Sequence, residues 1–400
     1  MTTGRPRRIL PVIVLSQFLG TSLWFASNAV LPELERSFGL SGDFTGLTTS
    51  AVQLGFILGT FFFSLFSLPD RVSPRRLFAA CSFTGALCTL ALLASTGGLP
   101  ALLSLRFVTG LALAGIYPVG MKIAAGWYQQ GLGSALGMLV GALVLGTSFP
   151  HLLRSTGANI PWQIVLLTVS GGAILGGVLM AGLVGDGPYA ARAAKFEIDS
   201  LRSIFHSREL RSAAFGYFGH MWELYAFYAF IPFILGAYRS AGAAPNLDAP
   251  FWSFAVIAGG AAGCVGGGFA SRRWGSARVA WVQLLVSGAC CFLSPLFFRL
   301  PVALFLSAMV VWGIAVVGDS PQFSALTARF APPRLVGSAL TIVTSIGFAI
   351  TIVSIEALSY LSRQVPPAYL LAFLAPGPVA GLMCLRYLAR SHKQSEGGSK

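Results

Sequence analysis

Twelve apolar runs, most of them about 20 residues long, fill nearly the whole chain, and no other feature limits its fold so strongly. They lie near residues 10–31, 44–66, 78–96, 101–123, 132–154, 162–184, 214–236, 252–270, 279–298, 301–324, 337–359 and 368–389. A helix of about 20 apolar residues spans the hydrocarbon core of a bilayer, which is about 30 Å thick. Composition points the same way. Hydrophobic residues make up 55% of the chain and charged residues 10%, whereas soluble domains carry about 25% charged residues. A single water-soluble core with a mean hydropathy of +0.75 would expose large apolar patches and aggregate. The expected class is an all-α membrane protein with twelve transmembrane helices.

The first run is too long and too poorly flanked to be a cleavable signal peptide. The fourth and tenth begin at short Gly/Pro turns, so each forms a tight hairpin with the run before it. The one long polar connection carries Arg192, Lys195, Glu197, Asp199, Arg202, Arg208, Glu209 and Arg211. The expected organisation is a cytoplasmic N-terminus (1–9), a six-helix half (10–184), a cytoplasmic linker (185–213), a second six-helix half (214–389) and a cytoplasmic tail (390–400). The 27 Lys and Arg residues outnumber 13 Asp and Glu, for a net charge of +14. With the N-terminus inside, 21 of those cations fall on the cytoplasmic face, 5 on the other, and Arg106 lies within a span. That asymmetry is the positive-inside signature and sets both termini in the cytoplasm. The cations are short flanks beside spans, not one folded patch interleaved with aromatics, so no nucleic-acid partner is expected. Cys81, Cys88, Cys264, Cys290, Cys291 and Cys384 all sit in apolar stretches without metal-ligand spacing, and read as buried thiols.

The two halves resemble each other. Gly133-Ser134-Ala135-Leu136 opens span five and Gly337-Ser338-Ala339-Leu340 opens span eleven, 204 positions later. Leu68-Pro69-Asp70-Arg71-Val72-Ser73-Pro74-Arg75-Arg76 follows span two, and Phe269-Ala270-Ser271-Arg272-Arg273-Trp274-Gly275 follows span eight, with 201 positions from Asp70 to Ser271. Parallel repeats of this kind are a transporter device. On the Asp70-Arg71 to Arg75-Arg76 loop, and on Arg106, Gly110 and Gly115 in span four, the chain resembles the major facilitator superfamily over nearly its whole length. Phe66 stands where that family usually has glycine, and the loop is one residue longer before its arginine pair. The resemblance implies two pseudo-symmetric six-helix halves that alternate in access around a central cavity. It also implies a cytoplasmic gate drawn from Asp70, Arg71, Arg75, Arg76 and Arg272. Span five reads Gly133, Gly137, Gly141, Gly146, Pro150 and lacks the family's drug-antiporter signature. Spans two and eight lack the arginines of nitrate porters, and the sugar-porter linker motifs are missing too.

Ionisable residues deep inside spans are few: Arg106, His220, Glu223 and Asp319, with Lys122, His151 and Glu356 nearer span ends. Each costs about 2.5–3.5 kcal/mol at a helix centre on insertion scales, and such residues mark pathways, relays or interhelical bonds. Span seven contains Tyr217, His220, Trp222, Glu223 and Tyr225. His220 and Glu223, three apart, share a helix face and are expected to touch. Low dielectric disfavours a charged carboxylate and a neighbouring cation favours it, so this pair is a candidate proton switch; a fixed interhelical bond is the alternative. Arg106 is a candidate for coupling or for buried packing. Span one carries Gln17, Thr21, Trp24 and Asn28, which on one continuous helix form a single stripe. That stripe should line a substrate cavity, with Tyr217, Trp222 and Tyr225 facing it; packing against a neighbouring helix is the alternative. Asp319 precedes Pro321, which can kink the helix; with Arg329 and Arg334 nearby, Asp319 reads as a cytoplasmic gate or helix-end bond. On a straight helix Arg106 and Lys122 would point about 160° apart, so Lys122 reads as an anchor.

No phosphate loop, nucleotide fingerprint, zinc spacing or nucleophile elbow occurs, and neither enzymatic activity nor a cofactor is expected. The reading is a secondary active transporter of a small organic solute, anionic on the strength of Arg106, driven by a proton gradient as a symporter. It would be a monomer in the cell inner (cytoplasmic) membrane, its partners the solute, the proton and the lipid bilayer. A proton-driven exporter of a drug or metabolite is the alternative, and a non-transporting sensor or assembly factor is the rival from another class.

Overall fold

The computed structural model of the protein describes residues 8–40, 42–128, 132–155, 160–185, 187–189, 206–242 and 244–397. Arg5, Arg7, Arg192, Lys195, Glu197, Asp199, Arg202 and Lys400 of the expected charge map lie outside them. Among the described residues, ten helices are long and apolar enough to cross a membrane. Two shorter or more polar helices complete the twelve: Ile9–Thr21, with 13 residues, and Pro74–Ala91, whose first turn carries Arg75 and Arg76. The chain divides into two compact units, residues 1–193 and 194–400.

The first unit contains α1 (Ile9–Thr21), α2 (Ala26–Ala29), α3 (Leu31–Ser37), α4 (Thr45–Leu65), α5 (Leu68–Arg71), α6 (Pro74–Ala91), α7 (Gly98–Ala114), α8 (Tyr117–Trp127), α9 (Leu132–Ser155) and α10 (Trp162–Leu183). Its α4 packs on α7, α6 on α7 and α10, and α1 on α9 and α10. The second contains α11 (Arg208–Ser240), α12 (Ala249–Trp274), α13 (Ser276–Phe297), α14 (Val302–Gly318), α15 (Ser320–Phe330), α16 (Val336–Leu361), α17 (Pro367–Leu370) and α18 (Pro376–Gly397). There α12 packs on α14, α13 on α14 and α18, and α11 on α16 and α18. The internal pairing is the same in both units.

Lipid tails are as apolar as leucine, so helices in a bilayer are held by close packing and polar bonds rather than by exclusion of water. Glycines supply the close packing at matched places. Gly110 lies so near the Val52 carbonyl that a Cβ has no room, and Gly313 meets the Val256 carbonyl in the same way. Gly275, with φ of 78°, makes the one-residue turn between α12 and α13, a backbone angle that suits glycine.

Three spans are broken, the first and fourth where continuous rods were expected and the tenth at the proline expected to kink it. The first breaks after Thr21 and resumes at Ala26. The fourth breaks at Gly115–Ile116, ahead of Pro118, and the tenth at Asp319, ahead of Pro321, 203 positions later. Proline has no N–H to continue the ladder, and its ring crowds the preceding turn. The fourth-span break removes the straight helix on which the angle between Arg106 and Lys122 was reckoned. Span seven begins earlier than expected. Ser207 accepts from the Leu210 N–H at 3.1 Å, which caps the first turn, so residues 208–213 of the expected linker belong to α11.

The 203-residue offset matches more than the breaks. Gln17 corresponds to His220, Gly20 to Glu223 and Ile116 to Asp319. Contacts follow the numbering: Gln17 lies against Gly120, and His220 against Phe323, with ring centroids 5.8 Å apart. Gly20 is packed under the Ile116 side chain, where a Cβ would come within 2.8 Å of Cγ2.

Candidate functional site

In the second unit, His220, Glu223 and Asp319 are all fully buried. His220 and Glu223 were expected to touch one another, but each side chain contacts a residue outside their shared helix. His220 Nδ1 stands 2.8 Å from Asp319 Oδ1. Glu223 Oε2 accepts from Ser287 Oγ at 2.8 Å and from the Cys291 thiol at 3.4 Å. Residues three apart on a helix share a face, yet their long side chains diverge to different neighbours. Ser287 and Cys291, four apart on α13, present both donors to one carboxylate oxygen.

Trp312 extends this arrangement. Its Nε1 donates to Ser287 Oγ at 3.0 Å, and its ring is fixed between Phe227, 4.7 Å away, and Phe297, 6.3 Å away. Glu223 Oε1 and His220 Nε2 have no hydrogen-bond partner among the described residues. Tyr217 and Phe323 pack around the imidazole. Asp319 is placed by the helix break: its carbonyl accepts from Gln322 N at 2.9 Å and Phe323 N at 3.0 Å, and its side chain turns to His220. Of the two arginines expected near it, Arg329 lies over the Phe330 ring, and the Arg334 side chain lies outside the described ones.

The first unit holds a different kind of site. Because the first span breaks at 22–25, Gln17, Thr21, Trp24 and Asn28 do not form one helical stripe; they are nonetheless poorly exposed, with Gln17, Thr21 and Trp24 fully buried. Thr21 Oγ1 donates to the Gln17 carbonyl at 2.8 Å. Trp24 Nε1 donates to Gln53 Oε1 at 3.3 Å and Asn28 Nδ2 to Thr49 Oγ1 at 2.7 Å, two rungs four residues apart on each strand of contact. Gln17 Oε1 and Nε2, Gln53 Nε2 and Asn28 Oδ1 have no hydrogen-bond partner among the described residues.

Arg106, 1% exposed, explains how the break survives at membrane depth. A broken helix leaves carbonyls that hydrocarbon cannot satisfy. Nη1 of Arg106 donates to the Leu23 carbonyl at 3.2 Å, and Nη2 donates to the Trp24 carbonyl. Of the two roles left open for this arginine, the geometry supports the structural one.

Among the expected gate residues, Arg71, Arg76 and Arg272 are exposed. Arg75 Nη1 donates to the Ala181 carbonyl at 3.1 Å, and the Asp70 side chain lies outside the described ones. Tyr217 and Tyr225 are buried: Tyr217 packs on Gly347 of α16 and Tyr225 on Phe348 of α16 at 5.1 Å. Trp222 is half-buried and lies against Gly377. Outside the spans, Glu35 accepts from the Phe44 N–H at 2.8 Å; burial pushes its carboxyl upward and that bond opposes the shift. Ser287, Trp312 and Gln53 escaped the sequence reading. Gln53 had a signal, as the lone amide in span two; Ser287 and Trp312 had none until the fold placed them beside Glu223. All six cysteines are free thiols, and the described residues contain no group of three or more His, Cys, Asp and Glu able to hold a metal ion.

Twelve helices in two units of the same internal pairing, with polar groups buried in each, define a multi-pass membrane protein of transporter type. The Major Facilitator Superfamily model matches residues 13–355, and the chain belongs to that superfamily. Its structure is similar to that of the human organic anion transporter MFSD10 (TETRAN), with a TM-score of 0.71 and 15% identity over 95% of this chain and 99% of that one. It is also similar to a bacterial homolog of the human lysosomal transporter Spinster, inward-facing and unoccupied, with a TM-score of 0.62 and 16% identity over 98% of this chain and 96% of that one. At such identities the likeness is one of fold. No curated protein matches the chain in sequence.

Proposed function

We propose that the protein is a secondary active transporter that takes up a small organic solute together with protons, by alternating access across the cell inner membrane, with both termini cytoplasmic. The observation that carries the proposal is the buried cluster of Glu223, His220 and Asp319. One imidazole can offset one carboxylate, so the second acid has its charge set by gaining or losing a proton. A group that must exchange a proton while buried suits coupling, because it can do so only when the conformation gives it a path to water. Glu223 is the assigned carrier. His220 and Asp319 complete the cluster, and Asp319 thereby joins the coupling residues.

The solute is assigned to the buried amides and hydroxyls of the first unit. Gln17, Asn28 and Gln53 offer both donors and acceptors without partners, which suits a dipolar, hydrogen-bonding head group. MFSD10 is described as an organic anion transporter, but Nη1 and Nη2 of Arg106 donate to backbone carbonyls here, which leaves an anion only Nε. The expected anionic charge of the solute therefore loses its main support.

A thermal-shift screen of small polar solutes on the purified protein identifies a ligand, whose uptake into proteoliposomes is then followed with and without an inward proton gradient. Glu223→Gln is expected to abolish gradient-driven accumulation while the protein still binds the solute. Full accumulation in that variant removes Glu223 from the mechanism.

A further inference from the structure

We infer that Trp312 and Ser287 form a fixed-polarity relay that makes Oε2 of Glu223 a permanent acceptor and leaves Oε1 as the atom that takes and releases the proton. The inference rests on the reading of Glu223 as the proton carrier and deepens it.

The argument is one of hydrogen count. An indole N–H can only donate. Trp312 Nε1 stands 3.0 Å from Ser287 Oγ, so that oxygen accepts. Ser287 has a single hydrogen of its own, and Glu223 Oε2, at 2.8 Å, is placed to receive it. Rotation of the hydroxyl is thereby removed: its hydrogen cannot turn toward Trp312 without opposing another hydrogen. The Cys291 thiol adds a second, weaker donor to the same oxygen, at 3.4 Å. An oxygen already receiving two donors is a poor place for a further proton. Oε1 has no partner among the described residues and is free to bear one. Protonation then converts a carboxylate held at Oε2 into a neutral acid with its hydroxyl at Oε1 and its carbonyl at Oε2, with no rotation of the side chain.

The titratable groups around this carboxyl are Cys291 and Cys290 on α13 and Asp319 at the α14–α15 break, with His220 beyond it against Asp319. None of them donates through Ser287, so the relay can be altered separately. The first unit has no such relay. Thr109, 203 positions before Trp312, donates its hydroxyl to the Leu105 carbonyl of its own helix. Trp312 and Ser287 are therefore positioning residues for the proton site and not carriers.

The test uses the purified full-length protein in lipid vesicles, with the proton as the only ligand, and follows the infrared carboxyl band that Glu223→Gln abolishes. In the wild type that band should appear as pH falls, at the frequency of a carbonyl that accepts hydrogen bonds. Hydrogen bonds to a charged group are among the stronger ones, so Ser287→Ala should move the band's midpoint upward by about 1 pH unit. The same change should raise its frequency, because the carbonyl oxygen loses a donor. Trp312→Phe should shift the midpoint the same way by less, since the serine hydroxyl stays but becomes free to rotate. Ser287→Thr, which keeps the hydroxyl, should restore both readouts and guards against a folding defect in the alanine variant. A band that titrates in the wild type but is unmoved in Ser287→Ala overturns the relay and leaves Glu223 as carrier. A protein with no Glu223-dependent band at any pH overturns both.

Discussion

The two units share a fold and differ at the positions that matter most. Where the first has Gln17, Gly20 and Ile116, the second has His220, Glu223 and Asp319. In the first, glycine and isoleucine simply pack, with 2.8 Å between a would-be Cβ on Gly20 and the Ile116 side chain. In the second, the same three places hold two acids and an imidazole. The reverse holds at Arg106, whose counterpart 203 positions later is Met309, a buried apolar residue. The first unit thus spends its one deep charge on the backbone break of span one, and the second keeps its charges for one another. Under the proposed function the two units are specialised, neutral recognition in the first and proton chemistry in the second.

That contrast can be broken by exchanging residues between copies. The largest effect on stability is expected from Arg106→Met, which imports the counterpart residue and strands the Leu23 and Trp24 carbonyls. An unsatisfied buried polar group costs about 1–3 kcal/mol, so about 3 kcal/mol for the two is the expected loss, read from denaturation in detergent or bicelles. Arg106→Lys should recover only part of it, because an ammonium lacks the planar fork. A smaller effect should follow Asp319→Ile, at about 2 kcal/mol, because the buried His220 is left without the polar group that faces it. Adding His220→Gln, so that both positions carry first-unit residues, should return most of that stability without returning proton-driven uptake. If the double variant is as unstable as the sum of the singles, the two residues do not act as a pair.

The sequence displayed the span plan plainly, because apolar periodicity and charge flanks are local properties. It also displayed the list of deep ionisable residues. Their partners were less legible. His220 and Glu223 are close in sequence and were paired on that ground, whereas Asp319 reaches His220 from 99 positions away, and Ser287 reaches Glu223 from 64. Such contacts depend on which faces of α11, α13 and the broken tenth span meet, and no single-helix pattern encodes that. The break in span one was hidden for a related reason. It contains no proline, and the residue that makes it tolerable, Arg106, lies three spans further on. The serine and tryptophan of the relay are ordinary residues in apolar helices until the fold brings them to an acid.

The most direct measurement of whether proton coupling resides in the second unit is proton movement itself. Proteoliposomes in a lightly buffered suspension receive the identified solute, and the external pH is recorded alongside solute exchange. The expected result is alkalinisation with the wild-type protein and none with Glu223→Gln, which should nevertheless keep exchanging solute across the membrane. Equal alkalinisation by the two proteins would contradict the assignment of the coupling proton to Glu223.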